Sequence, residues 1–84
     1  MELNEIKAKI KQVVFETTNI KPEDIADNAS FVDDLHLDSL TLLEIAVNVD
    51  QEFMLDIPEE EMQKFSSVNA SAELVKGFMA QAAV

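Results

Sequence analysis

A serine beside a carboxylate, Asp38-Ser39, stands directly before an apolar-periodic segment of the chain. Both residue types favour the start of a helix, where a side-chain oxygen accepts hydrogen bonds from unpaired backbone N–H groups. A serine at this position exposes a nucleophilic oxygen, and the positive end of the helix dipole stabilises an anion attached to it. The pair is therefore a suitable place to attach a phosphodiester.

Two other chemistries fit the same stretch poorly. A hydrolase needs a base and an orienting acid beside its serine, but His36, the only histidine, lies on a predicted loop without a Gly-x-Ser-x-Gly elbow. A calcium loop needs a turn glycine and a bidentate glutamate, and Ser39 and Ile45 occupy those positions. We therefore predict no catalytic residue and no metal ligand, and we interpret His36 as an exposed loop residue.

Composition limits the class of protein. The 84 residues fit one domain, residues 1–84, with a small core. Cysteine is absent, so no disulfide or thiolate metal site stabilises the fold, and thiol chemistry would need an imported thiol. Lys and Glu interrupt every apolar run, which argues against a signal peptide or a transmembrane segment. We expect a free-standing cytoplasmic monomer, because the ends are not linker-like.

The charge is strongly negative and unevenly distributed. A net charge of −11 argues against nucleic acid as a partner, since nucleic-acid binding needs a basic surface. Residues 22–63 hold 13 acidic residues and no Lys or Arg. Two interpretations remain open at this point: a solvated acidic surface, or an acidic face that steers basic partners toward the serine.

Apolar periodicity predicts the elements that position the serine. The predicted helices are Glu2 to about Thr17, Asp38 to about Met54, a short helix with Pro58 at its first position, and Val68 to about Ala82. No stretch has the alternation of a strand. The sequence therefore predicts an all-α fold, a small antiparallel four-helix bundle with three main helices, a short third helix and a long first loop.

The first loop, about residues 18–38, is long for a compact domain, and such loops usually have a functional reason. Here the reason would be to deliver Ser39 to the surface. Ser30 is a good cap with Asp33 three residues later, which predicts a capping box and a short helical turn at 31–35.

Two residues depart from the helical patterns. Asp50 projects into the apolar half of the second main helix, which indicates local hydrogen bonding. Gly77, the only glycine, lies inside the last helix, where glycine costs about 1 kcal/mol relative to alanine. We interpret Gly77 as a position of close packing.

The motif Asp38-Ser39-Leu40 resembles the Asp-Ser-Leu motif of acyl carrier proteins. The flanking sequence is similar to that family as well, over most of the 84 residues. The matching segments are Phe31-Val32-Asp33-Asp34-Leu35, Leu43-Glu44-Ile45, Asp50-Gln51-Glu52-Phe53 and Asp56-Ile57-Pro58-Glu59-Glu60-Glu61.

The resemblance implies that Ser39 carries 4′-phosphopantetheine, transferred from coenzyme A, and that the chain is a carrier and not an enzyme. Acyl intermediates would be held on the arm as thioesters, in fatty acid or specialised lipid or polyketide biosynthesis. The implied partners have basic docking patches: a phosphopantetheinyl transferase, an acyl- or aminoacyl-loading ligase, and ketosynthase or acyltransferase enzymes. Partner docking is assigned to Asp38, Leu40, Glu44 and Asn48, and shelter of an acyl chain to Leu43, Val47 and Phe53.

The sequence departs from the fatty-acid pattern at several positions. His36-Leu37 stands where Gly-Ala or Gly-x is usual, Thr41 replaces an acidic residue, and Asn48 and Gln51 leave the second helix less charged. These changes favour a dedicated carrier of a specialised pathway. A peptidyl or aminoacyl carrier is one alternative, although the acidity favours the acyl type. An unmodified acidic helical interaction domain is another, and it would not need Ser39.

Overall fold

Three long helices and one short helix build the fold. The computed structural model describes residues 2–82, which contain α1 (Leu3–Thr18), a 3-10 helix (Pro22–Asp24), α2 (Ser39–Phe53), α3 (Glu59–Met62) and α4 (Val68–Ala82). No β-strand occurs in this range. The predicted all-α fold with a short third helix and a long first loop is therefore confirmed. Within the same residues, no helix has the length and apolar character needed to cross a membrane.

The core lies between α1 and the two other long helices, with α1 packed most extensively against α4 and also against α2. Each helix contributes apolar side chains at three- and four-residue spacing, and each fully buried Val or Ile side chain stabilises the fold by about 1.5–3 kcal/mol. The buried helical residues include Ile6, Ile10, Val13, Val14, Ile45, Ala46, Val49, Val68, Ala72 and Val75. The connections add Ile25, Phe31, Ile57 and Phe65.

Helix ends follow local chemistry. Asn19 and Met54 end α1 and α2 in the left-handed conformation, with φ of 69° and 54°. Pro58 precedes α3 as its N-cap, where the backbone is still extended (φ −59°, ψ 145°), and its carbonyl accepts a hydrogen bond from the Glu61 N–H at 2.9 Å. The prediction that Pro58 is the first helical residue was wrong by one position.

The loop between α1 and α2 is fixed at several points. The Phe31 N–H donates to the Ser66 carbonyl, and the Asn69 N–H to the Asp27 carbonyl, both at 2.9 Å. The Asp27 carboxylate also forms ion pairs of 3.4 Å with Lys7 and 2.6 Å with Lys11 of α1. The loop is therefore tied to both α1 and the start of α4.

The Ser30 cap forms with a different acidic partner from the predicted one. Ser30 Oγ accepts from the Asp33 N–H at 3.0 Å, as expected, but the reciprocal bond runs from the Ser30 N–H to Asp34 Oδ2 at 2.7 Å. The segment 31–35 forms hydrogen-bonded turns and not a helix. Asp34 substitutes for Asp33 because the turn places the fourth residue, not the third, beside the Ser30 N–H.

The structure shows the surroundings of Asp50 and Gly77, the two residues that departed from the helical patterns. Asp50 Oδ1 accepts from the Ile57 N–H at 3.3 Å, which confirms local hydrogen bonding and ties the segment after α2 back to that helix. Gly77 was misinterpreted. A methyl group placed on it would contact no atom within 4 Å, so no close packing requires a glycine there.

Candidate functional site

Ser39 is the first residue of α2, and its side chain is exposed. Asp38 is the N-cap: its Oδ1 accepts from the Thr41 N–H at 2.8 Å, and its carbonyl accepts from the Leu42 N–H at 3.0 Å. This arrangement starts α2 at the serine. The hydroxyl therefore lies at the positive end of a 15-residue helix, as the sequence predicted.

The Asp38 carboxylate is committed to the helix. The hydrogen bond from the Thr41 backbone N–H, supported by the Thr41 side chain, lowers the pKa of Asp38 below its ordinary value. The side chain is therefore ionised at neutral pH, and its charge is directed at the first turn of α2. It acts on Ser39 by fixing the helix start that presents the hydroxyl.

The residues just before Ser39 are tied to a buried residue of the first loop. Phe31 is fully buried, and its carbonyl accepts from the Leu37 N–H at 3.0 Å. Between them His36 is exposed and left-handed, with φ 58°. A left-handed backbone favours glycine, and this chain adopts it with a histidine, at the position where similar carriers were expected to have glycine.

A groove of about 460 Å³ opens beside Ser39, between α2 and α3. Its lining residues are Ser39, Leu42, Leu43, Glu59, Met62 and Gln63. Leu42 and Met62 also pack against the buried core, whereas Leu43 is 42% exposed. The serine hydroxyl therefore stands at the edge of a depression with an apolar floor and a polar rim.

The groove contains only part of the predicted acyl-chain set. Leu43 lines it with Ser39, but Val47 and Phe53 are half-buried elsewhere, and Phe53 packs against the core. Leu42 and Met62 were not assigned to the site from sequence. Leu42 follows Ser39 by three residues, a spacing that places both on one face of a helix, so this signal was available.

The predicted docking residues lie on α2 in two different environments. Leu40 is 73% exposed and Glu44 is exposed. Asn48 is half-buried, and its Nδ2 donates to Thr17 Oγ1 of α1 at 3.1 Å. Glu44 and Asn48 border a second groove of about 550 Å³ between α1 and α2. Its lining residues are Val13, Glu16, Thr17, Glu44, Asn48, Gln51 and Glu52.

Most carboxylates of the segment 22–63 have no cation beside them. Within residues 2–82, Asp27 and Glu61 are the members of this segment that form ion pairs, Asp27 with Lys7 and Lys11, and Glu61 with Lys64. Glu44, on the exposed side of α2, forms none in this range. The uncompensated charge creates a negative field around Ser39, which favours encounters with basic surfaces.

Comparison with known proteins agrees with this geometry. The family model described as "Phosphopantetheine attachment site" matches residues 8–75, a range that includes Ser39, α2 and α3. A solved structure of an acyl carrier protein from Enterococcus faecalis is similar in fold, with a TM-score of 0.74. The similarity covers 93% of this chain and 99% of that chain at 23% sequence identity.

The family match confirms the predicted cofactor, because its members attach 4′-phosphopantetheine covalently. The residues present fit such a group: an exposed hydroxyl begins a long helix, and an apolar groove lies next to it. Members of this family serve as carriers for partner enzymes. The chain belongs to the phosphopantetheine-attachment family of carrier proteins and has the acyl carrier protein fold.

Proposed function

We propose that this protein is an acyl carrier protein of a specialised lipid or polyketide pathway and that Ser39 is its attachment residue. The observation that carries the proposal is the exposed Ser39 hydroxyl at the start of α2, inside the matched family region. The protein acts as one domain, residues 1–84, in the cytoplasm. It acts as a monomer, since copies with a net charge of −11 repel each other. It serves partner enzymes as a substrate and has no catalytic role of its own.

Attachment is a phosphoryl transfer carried out by a phosphopantetheinyl transferase. Ser39 Oγ forms a bond to the phosphorus that carries pantetheine in coenzyme A, the phosphoanhydride bond breaks, and the nucleotide half leaves. The hydroxyl proton passes to a base on the transferase. Once bound, the arm supplies the thiol that this cysteine-free chain lacks, and that thiol holds acyl groups as thioesters.

The residues of the chain itself bind and orient. The dipole of α2 stabilises the phosphodiester on Ser39, and the Asp38 cap keeps the helix start in place. Leu42, Leu43 and Met62 offer apolar surface to the arm and its cargo. Val47 and Phe53 extend this surface only if α2 and its neighbours shift, since neither lines the groove.

Partner docking uses the exposed side of α2. Leu40 offers an apolar contact close to the serine, and Asp38 and Glu44 offer carboxylates to basic patches on the transferase, loading ligase, ketosynthase or acyltransferase. Asn48 lies further along the same helix, at the border of the α1–α2 groove. Such contacts favour fast encounter and correct orientation more than tight binding.

Intact mass spectrometry tests the proposal directly. The protein is incubated with coenzyme A and a promiscuous phosphopantetheinyl transferase, and we expect the mass to rise by one phosphopantetheine. The Ser39→Ala variant should show no gain, whereas Ser66→Ala, which removes an exposed hydroxyl that does not line the groove, should be modified normally. A folded protein that no transferase modifies, beside a carrier that is modified in parallel, would contradict the proposal. Loading the product with acyl or aminoacyl groups then separates the acyl from the aminoacyl carrier.

A further inference from the structure

A hydroxyl group lies in the core without a hydrogen-bond partner. Ser71 in α4 has no exposed surface, and its Oγ has no partner in the described part of the chain. It lies on the core-facing side of the helix, one turn from Val68 and Val75. Buried hydroxyls in proteins are normally paired, because an unpaired one loses its bonds to water without replacement.

The chain satisfies comparable hydroxyls elsewhere. Thr17 and Thr18 in α1 donate to the carbonyls four residues earlier, Val13 and Val14, at 2.9 and 2.7 Å. The equivalent carbonyl for Ser71 is that of Ser67, which accepts the Ser71 backbone N–H at 2.9 Å but not its hydroxyl. The Ser71 hydroxyl is therefore available to a group that enters the core.

Alanine would suit this position better if only stability mattered. Alanine has the higher helix propensity and leaves no unpaired polar atom. The chain does use alanine at the neighbouring buried position, Ala72, and at Ala46 in α2. An unfavourable polar residue held in an otherwise apolar core indicates a functional constraint.

The groove beside Ser39 borders this core. Leu42 and Met62 line the groove and also pack against the core cluster, so displacing them would open the groove toward the core. Met62 belongs to α3, which has only four residues. A single turn of helix has little stability of its own and opens at low cost. Movement of α3 would admit an acyl chain carried on Ser39.

We propose that the Ser71 hydroxyl is a hydrogen-bond partner for an oxygen on the sheltered acyl chain, so that this carrier favours hydroxyacyl or oxoacyl cargo over saturated cargo. This inference rests on the proposed carrier function. A keto oxygen accepts the Ser71 proton, and a hydroxyl can donate or accept. A saturated chain fills the same space but leaves the Ser71 hydroxyl unpaired. A buried polar group that only one cargo can pair discriminates strongly against the cargo that cannot.

The test compares carriers loaded with different acyl groups. A promiscuous transferase loads wild-type protein and Ser71→Ala from acyl-coenzyme A thioesters of octanoate and of octanoates with a hydroxyl on the third, fifth or seventh carbon. Loading is verified by intact mass, and Tm is measured for each form. Ser66→Ala, which removes an exposed hydroxyl at the end of the loop before α4, is the matched control.

At least one hydroxyoctanoyl form of the wild-type protein should melt about 4 °C or more above the octanoyl form, as expected for one added hydrogen bond in a domain of this size. The difference should disappear in Ser71→Ala and persist in Ser66→Ala. Equal melting of all loaded wild-type forms would overturn the inference, as would the same difference in Ser71→Ala. Failure to load at all would instead contradict the proposed function, so the two failures are distinguishable.

Discussion

The side-chain amide of Asn48 in α2 donates a hydrogen bond of 3.1 Å to Thr17 Oγ1 in α1. The Thr17 hydroxyl gives its own proton to the Val13 carbonyl at 2.9 Å, so its oxygen is free to accept from Asn48. The bond joins two helices across the edge of the groove between them. Asn48 therefore has a structural role in addition to the docking role proposed for it.

Removal of this bond should lower stability. We expect Asn48→Ala to reduce the free energy of unfolding by about 1 kcal/mol, since a part-buried hydrogen bond is lost. Urea denaturation measures the change. In a Thr17→Val background the same substitution should cost clearly less, because its acceptor is already absent. Equal costs in both backgrounds would show that the two side chains are not coupled.

Replacing His36 with glycine should stabilise the fold. A left-handed residue other than glycine destabilises the folded state by about 1–2 kcal/mol, and glycine removes this strain. Glycine also raises the entropy of the unfolded state, which offsets about 0.5–1 kcal/mol of the gain. We therefore expect His36→Gly to raise the free energy of unfolding by about 0.5–1 kcal/mol, measured by urea denaturation.

Met54→Gly is the matched control for His36→Gly, because Met54 has φ 54° and is 90% exposed. It should give a gain of similar size. A loss at position 36 beside a gain at position 54 would mean that the His36 side chain stabilises the loop by a contact that outweighs the backbone cost.

Replacing Gly77 with alanine should stabilise the fold. It lies within α4 and has open space where a Cβ would stand. Alanine lowers the unfolded-state entropy and favours the helix, so Gly77→Ala should add about 0.5–1 kcal/mol to the free energy of unfolding. Thermal unfolding would show this as a higher Tm. A lower Tm would indicate a partner or a conformational change that requires glycine at this position.

Patterns within a single element predicted the structure well. The Asp38 cap, the start of α2 at Ser39 and the start of α4 at Val68 all depend on neighbouring residues, and short-range chemistry determines them. The Asp50 hydrogen bond leaves α2 but joins residues only seven positions apart, so it is also local in sequence.

Features that depend on packing between elements were not predictable in the same way. Whether Gly77 faces a neighbour, and whether Val47 or Leu42 faces α3, depends on how helices are placed relative to one another. Periodicity gives the apolar side of each helix but not its partner. Sequence analysis therefore placed Ser39 at the start of a helix, as the structure has it, whereas it named Val47 and Phe53 for an acyl-chain surface and the groove beside Ser39 is lined by Leu42 and Met62.

The Asp27 ion pairs should make stability depend on pH. The hydrogen bond from Lys11, with the charges of Lys11 and Lys7, lowers the pKa of Asp27 below its ordinary 3.8. A depressed carboxylate pKa stabilises the fold above the unfolded pKa, and this contribution is lost as the pH falls through the folded pKa. Asp27→Asn should therefore be less stable than wild type near neutral pH and should approach it in acid.

Solvent screening limits the difference in stability between wild type and Asp27→Asn, because the Asp27 side chain is 42% exposed. We expect about 0.5–1 kcal/mol at low ionic strength and less in high salt. Urea denaturation of both proteins across the acid range measures it. A constant difference down to a pH well below 3.8 would show that the stabilisation does not come from the Asp27 charge.

Glu44 offers the sharpest test of docking, because its exposed carboxylate forms no ion pair within residues 2–82 and should contribute little to stability. We expect Glu44→Gln to lower kcat/KM of the transferase about 5-fold at low ionic strength, equivalent to one ion pair of roughly 1 kcal/mol. The loss should fall mainly on KM and shrink as salt is added, since Glu44 contacts no reacting atom. Glu73→Gln makes the same charge change at an exposed position of α4 and should have little effect on kcat/KM. Equal losses for both variants would mean that total charge, and not the α2 surface, guides the transferase.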